Sequence, residues 1–440
     1  MIDEAGNTAR GKSLWRKRDF MFLWTGQASS EIGSAVTLLA IPIAAVVLLK
    51  STTLEVAILS GLGMVPSMLF ALPAGVIVDR VAKRKLMLWC DIGRFLLLAS
   101  IPLATLPGLH VTYAQLLIVT LFSGLLAVGF DIAYQTYLPG VLTGEELMEA
   151  NGRLGTTASF AEFVGPSLGG GLVGLLGAAR AISADAATYA LSVVSLLLIR
   201  KPEPEPEPRA AGRSMRREIA EGFGFVVKHP ILRNVVACMG TFNFFVSMIS
   251  AVEIVFLVRI LHVSPAGVGL VFSFSAIGGM LAGLAAGRLS KLIGSARLIW
   301  VSALVFGLPT FAMPLASPGW GALLFAGGNF FYLFRGVVFG IAQVTYRQAI
   351  TPAELLGRVT ASQRFLTGSG MPLGALVGGV LGTEIGVRET LWVAVAGSWC
   401  AGLWVFFSPL RTMRDLDVPE EPQSDGSPAG AGPEPVTAVA

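Results

Sequence analysis

The sequence predicts an all-α integral membrane protein, with twelve transmembrane helices arranged as two pseudo-symmetric six-helix bundles. Three observations carry this expectation. Only 14% of the 440 residues are charged against 54% hydrophobic, and the mean hydropathy is +0.71, whereas soluble domains carry about 25% charge. Uncharged runs that can cross a hydrocarbon layer of ~30 Å, a distance of about 20 helical residues, recur along the chain. The surroundings of Gly75 also reappear 208 positions later, at Gly283.

The elements follow in order. Residues 1–19 form a basic tail with Arg10, Lys12, Arg16, Lys17 and Arg18. The first apolar segment behind it is too long for a signal-peptide core, so it is expected to stay in the membrane. Residues 20–199 hold the first bundle: the runs Ile32–Leu49, Val56–Val78, Phe163–Ala179 and Ala181–Ile199, with two spans inside Phe95–Phe130. Residues 200–229 read as a cytoplasmic linker. Its Pro-Glu alternation is extended, and Met215, Ile219, Phe223 and Val226 then fall on one helical face beside Arg213, Arg216, Arg217 and Lys228. That stretch is either an interfacial helix lying on the membrane surface or a solvated linker helix. Residues 230–410 hold the second bundle: Asn234–Val252, Ser264–Gly287, two spans in Leu298–Phe334, Phe365–Thr383 and Thr390–Leu410. The tail, 411–440, is rich in Pro, Gly, Ala and acid and is expected to be disordered. Continuous apolarity, rather than alternation at every second residue, selects helices over barrel strands.

Lys and Arg crowd into the N-tail, the Lys83–Lys85 loop and the linker. The alternate loops hold only Lys50, Arg180, Arg259 and Arg388. By the positive-inside rule both termini of this multi-pass protein are expected to be cytoplasmic. The net charge of +4 then follows from topology and calls for no nucleic acid; lipid headgroups are its counterions. Cys90, Cys238 and Cys400 fall inside spans and read as small apolar residues. His110, His229 and His262 are too scattered for a metal site, and no cofactor motif or hydrolase motif occurs, which argues against an enzyme.

The repeat organises the rest. Gly75 corresponds to Gly283, Arg80 to Arg288, Lys83 to Lys291, Glu146 to Glu354, and Gly170 and Gly174 to Gly378 and Gly382, all at an offset of 208. Alternating-access carriers are built from duplicated six-span halves that rock about a shared site. Some channels and membrane enzymes are duplicated too.

The stretch "GVIVDRVAKRK" resembles the signature between the second and third spans of the major facilitator superfamily: Gly75, Asp79, Arg80, Lys83, Arg84 and Lys85 match, and Ala82 replaces a glycine. Gly165-Pro166-Ser167-Leu168-Gly169-Gly170 is similar to the antiporter signature of the superfamily's drug exporters, and Gly152 fits its longer form. The stretches "FDIAYQTYLPGVL" and "RREIAEGFGFVVKHPILR" resemble the bacterial exporter branch that holds enterobactin and macrolide efflux proteins. The resemblance runs from about residue 14 to residue 410 and implies the major facilitator fold, no cofactor, and a monomeric carrier. It further implies a conformational latch made by Gly75, Asp79, Arg80, Lys83 and Arg84 with an acid at the end of the fourth span. Asp131, ~27 Å into that span, is placed to pair with Arg80 or Arg84. The glycines of the fifth span let helices approach closely, and Pro166 lets that span bend. One departure stands out: the fourth-span arginine of the family's proton antiporters is missing, and Arg335 is read as the only arginine deep in a helix.

Glu31 and Glu162 fall near mid-membrane, where an ionised carboxylate costs at least ~2.5 kcal/mol. They are either proton carriers that couple export to inward proton flow, or structural partners of Arg335, Gln27, Asn243 or Gln343. Asp91 and Arg94 suit a local ion pair. Asp185 and Glu253 are expected nearer the outer face, hydrated or paired, for instance Glu253 with Arg259, without a direct substrate role. Gln27, Asn243, Phe244, Phe331, Arg335 and Gln343 are candidates to line a cavity for a bulky, partly apolar ligand, with core packing as the other reading for the aromatics. The function expected is export of a small molecule (a drug, a siderophore or a secondary metabolite) in exchange for protons. An uptake permease of the same fold is the alternative.

Overall fold

The computed structural model describes residues 17–78, 81–142, 144–200, 215–351 and 353–415. The first half comprises α1 (Arg18–Val47), α2 (Thr53–Val78), α3 (Lys83–Leu103), α4 (Tyr113–Val141), α5 (Gly144–Leu176) and α6 (Ala178–Leu198). There follow α7 (Met215–Lys228), α8 (Pro230–Val255), α9 (Pro265–Ile293), α10 (Ser295–Leu304), α11 (Ala312–Leu315), α12 (Ala322–Ile350), α13 (Ala353–Gly368), α14 (Met371–Glu384), α15 (Val387–Cys400) and α16 (Leu403–Phe406). No strand occurs among the described residues. Eleven helices there are long and apolar enough to cross a membrane, and α2 adds a shorter apolar stretch, Thr53–Ser67, where the sequence leads one to expect twelve full crossings. Leu175 (85% exposed) and Leu284 (73%) present to the outside the apolar surface that lipid requires.

Local chemistry sets the helix ends. Thr112 Oγ1 accepts from the Gln115 amide to start α4. Ser264 Oγ accepts from the Gly267 amide at α9, with Pro265 in the first turn. Gly177 (φ 82°) and Gly386 (φ 103°) make the tight reversals after α5 and α14 in a region that favours glycine.

Alternate turns place the two ends of the bundle. The near face carries the first and last described residues. The far face carries the α1–α2, α3–α4, α5–α6, α8–α9, α11–α12 and α14–α15 turns. Within the first half, α1 lies against α6 through glycines: a Cβ on Gly26 would stand 3.2 Å from Ser192 Oγ, and one on Gly33 would stand 2.3 Å from Asp185 Oδ1.

The halves meet along α5–α9 and α2–α14. The 208-residue offset turns α2 into α9 and α5 into α13–α14, so these two interfaces are one interface formed twice with the partners exchanged. Gly61 and Gly269 are such a pair. A Cβ on Gly269 would lie 2.4 Å from the Pro166 carbonyl oxygen of α5, and one on Gly61 would lie 3.1 Å from Ala375 Cβ of α14. Gly170 against Gly269 and Pro265, Gly379 against Ala57 and Leu54, and Gly382 against Thr53 all fall in the far-face portions of their helices. The far face is thus closed by glycines that pack on backbone at α5–α9 and mainly on the side chains of Ala57, Leu54 and Thr53 at α2–α14.

Two boundary expectations change. In α7, Val226 is buried with Leu232, Val236 and Val359, so this edge of the helix packs on α8 and α13 rather than on lipid. The residues just past 410, assigned to a disordered tail, are held in place: Ser295 N donates to Asp415 Oδ1 at 3.0 Å, and Ala296 N to the Arg414 carbonyl at 3.2 Å. The two residues supply acceptors for the free amides that open α10.

Candidate substrate cavity

A cavity of about 470 Å³ lies where the halves meet. Its wall comes mainly from α1 (Ser34, Thr37, Leu39), α2 (Leu59, Met64), α3 (Arg94), α4 (Thr120, Ser123) and α6 (Asp185, Tyr189). It is completed by Pro166 of α5, Ser250, Glu253 and Ile254 of α8, and Phe272 of α9. Most of this wall is apolar, and three charged side chains interrupt it.

Arg94 sits 11 residues into α3, or ~16 Å from its start, and corrects the reading that only Arg335 lies deep in a helix. Its Nη2 donates to Ser34 Oγ at 3.3 Å, and its guanidinium lies 4.1 Å from the centroid of the Tyr189 ring. Ser34 Oγ and Tyr189 Oη are 2.7 Å apart, which ties α1, α3 and α6 together. Asp91 does not neutralise Arg94 by direct contact as expected; Ser192 Oγ donates to Asp91 Oδ2 at 2.6 Å. Asp91, Asp131 and Asp185 all lie within electrostatic range of the guanidinium. Asp185 is 1% exposed and accepts from Thr188 Oγ1 at 3.2 Å.

Glu253 corrects a second expectation. Arg259, its presumed partner, lies in a five-residue π-helical turn, Phe256–Ile260, that continues α8. It donates to the Ser51 carbonyl at 2.5 Å across the far-face turns. Glu253 instead faces the cavity.

The six proposed cavity residues take other roles, and none of them lines this cavity. Gln27 Nε2 donates to Glu31 Oε1 at 2.9 Å, the polar pairing foreseen for that acid. Asn243 Nδ2 donates to the Thr367 carbonyl at 3.0 Å. Phe244 stacks edge-on against Phe245, and its carbonyl packs where a Cβ on Gly374 would be. Phe331 packs edge-on against Phe330. Gln343 accepts from Gln363, whose Oε1 accepts from Arg347 at 2.6 Å. Arg335, 2% exposed, donates to Ser398 Oγ at 2.8 Å and lies over Phe242. A buried polar group takes the nearest hydrogen-bond partner: for Asn243, Gln343 and Arg335 that partner lies on a neighbouring helix, and for Gln27 it is Glu31 of the same helix.

The glycines of the antiporter-like stretch make close helix contacts at the positions described. A Cβ on Gly165 would be 2.3 Å from Ala35 Cβ and one on Gly169 would be 3.1 Å from Val36 Cα, so both glycines seat α5 on α1. Gly170 seats it on α9. Gly152 lies in α5, but its surroundings fall outside the described residues, as does the side chain of Glu162. Of the latch, Asp79 and Arg80 lie outside the described residues and Gly75 is within α2. Lys83 opens α3. Arg84 donates to the Leu196 and Leu197 carbonyls at 2.9 and 3.1 Å, which satisfies the C-terminal end of α6. Asp131 is not at the near face. It is 10 residues from the end of α4, within electrostatic range of Arg94 and Glu31. Among the described residues no cluster of His, Cys, Asp or Glu is placed to hold a metal ion.

Known proteins resemble the chain over most of its length. It is 24% identical to the multidrug efflux pump Tap of Mycolicibacterium fortuitum over 94% of this chain and 100% of that one. It is 23% identical to macrolide efflux protein A of Streptococcus pyogenes over 91% and 98%. The fold superposes on a bacterial homologue of the iron transporter ferroportin in its inward-facing state with a TM-score of 0.72, 15% identity, and 89% and 98% coverage. The family model described as transmembrane secretion effector matches residues 12–427. The chain is a multi-pass membrane protein that belongs to this family of the major facilitator superfamily.

Proposed function

We propose that the chain is a secondary active exporter that moves a small, partly apolar molecule across the bacterial cell membrane by alternating access. The observation that carries this is the cavity shared by both halves and sealed at one face by glycine contacts between them. A sealed face with a site behind it is one of the two states such a carrier needs. The distribution of Lys and Arg assigns the near face, with both termini, to the cytoplasm. The two bundles, 20–199 and 230–410, are then the rocking bodies, and the chain acts as a monomer. The efflux relatives favour the outward direction over an uptake permease. A proton is the proposed coupling ion. Glu31 remains a candidate carrier because it accepts from Gln27 and lies within electrostatic range of Asp131, while Glu162 stands on its depth in the sequence alone.

Proteoliposomes with an imposed pH gradient test both parts. Accumulation driven by the gradient in the wild type, lost in Glu31→Gln or in Glu162→Gln, is the expected result. Retained gradient-driven transport in both variants refutes the proton assignment, and counterflow in the opposite direction refutes export. A deletion strain tested for susceptibility to a panel of toxic compounds, and for iron-chelator secretion, separates a drug from a siderophore as substrate.

A further inference from the structure

Three charged side chains face the cavity, and two of them are already engaged. Arg94 has Ser34, the Tyr189 ring and surrounding carboxylates, and Asp185 has Thr188. Both belong to the first half. Glu253 comes from the opposite wall, on α8. Among the described residues its carboxylate makes no hydrogen bond or ion pair, and Arg259 is committed to Ser51. Its titratable neighbour is Tyr332 of α12, which carries no positive charge. The cavity thus presents one unmatched carboxylate in a wall of side chains such as Leu39, Leu59, Met64 and Phe272. A carboxylate in such surroundings is costly to leave alone, and a counter-charge that brings its own apolar body meets both the charge and the wall.

We infer that Glu253 is the group by which this cavity recognises its substrate, and that the substrate class is a lipophilic cation: a protonated amine or an onium centre carried on an apolar body. The inference rests on reading the cavity as the transport site. Arg94 does not bind the ligand in this scheme. It neutralises the carboxylates of its own half, so that Glu253 alone sets the charge preference.

The test is equilibrium binding to the full chain in nanodiscs, with empty nanodiscs subtracted. The probes are tetraphenylphosphonium and its anionic counterpart of similar shape, tetraphenylborate. The wild type is expected to bind the cation and discriminate against the anion. Glu253→Gln should weaken the cation by at least about tenfold and leave tetraphenylborate no weaker, while Glu253→Asp should stay within about threefold of the wild type. Equal cation affinity in the wild type and Glu253→Gln overturns the inference, as does equal loss in the Gln and Asp variants. If Glu253→Gln fails to fold, the wild type alone decides: preference for tetraphenylborate overturns the inference. Binding of the cation with no transport of it in proteoliposomes, by gradient or by counterflow, would sink the exporter reading and leave the recognition of the cation by Glu253 standing. Gradient-driven transport of another compound, with no cation binding, would do the reverse.

Discussion

Replacing Gly170 by valine tests whether the far-face seal is a conformational switch. A Cβ at this position would stand 2.7 Å from both Gly269 Cα and the Pro265 carbonyl oxygen and 2.9 Å from Gly269 N, all backbone atoms of α9. No side-chain rotation relieves contacts with backbone, so α5 and α9 must part by several tenths of an ångström. Overpacking of this kind costs about 1–3 kcal/mol. The clash exists only while the far face is closed, so the cost falls on that state and shifts its population by roughly 5- to 150-fold. Gly171 is the control, because nothing lies within 4 Å of where its Cβ would be. Electron–electron distance measurements between spin labels at Leu109→Cys and Trp320→Cys read the opening directly. These exposed residues sit in far-face turns of opposite halves, and Cys400→Ser removes the exposed native thiol. Gly170→Val should add a longer-distance population, and Gly171→Val should match the parent. Identical distance distributions for all three would show that the glycine contact does not control the far face.

Three further outcomes follow from particular contacts. Gly33→Ala sets a Cβ 2.3 Å from Asp185 Oδ1 and 2.4 Å from Thr188 Oγ1, so thermal unfolding in detergent should come at lower temperature. Gly63→Ala, whose Cβ meets only Thr120 Cγ2 at 3.5 Å, should leave it unchanged. Arg335→Gln strands acceptors at Ser398 and Ala303 and should destabilise the chain by roughly 1–3 kcal/mol, while leaving ligand affinity intact because Arg335 does not line the cavity. His229, whose Nδ1 accepts from the Leu232 amide at the start of α8, has its pKa lowered from 6.5 by partial burial. The open form therefore binds the proton more readily than the closed one. The stability of this joint is full above the ordinary histidine value of 6.5 and falls as pH drops through it. Hydrogen exchange at Leu232, corrected for intrinsic rate, should speed up between about pH 7.5 and about pH 5.5 in the wild type, and less so in His229→Asn, which keeps a capping acceptor. Equal acceleration in the variant would count against His229 as the cause.

What was legible in the sequence was whatever lipid enforces residue by residue. Apolar runs located the helices because backbone polar groups in a bilayer have no other way to pair. The 208-residue repeat carried more, since the offset that pairs Gly75 with Gly283 and Gly170 with Gly378 relates α2 to α9 and α5 to α14, although only the structure shows that these helices form the contacts between the halves. The cavity was not legible, for a physical reason. A solitary polar residue in an apolar run reads the same whether it faces a cavity or bridges to another helix, and the choice depends on an acceptor hundreds of residues away. Arg335 found Ser398, Asn243 found the Thr367 carbonyl, and Gln343 found Gln363, so all three were spent on packing. Glu253 and Arg259 looked like partners by proximity, but residues six apart fall on different faces of a helix, and Arg259, in the π-helical turn that continues α8, donates to the Ser51 carbonyl. Among the described charged residues of the cavity wall, the one left without a hydrogen bond or ion pair is Glu253, and it faces the space between the halves. In a chain with so few charges, a carboxylate that packing does not satisfy must be satisfied by a ligand or a proton, so the site is found by elimination in three dimensions rather than by pattern in one.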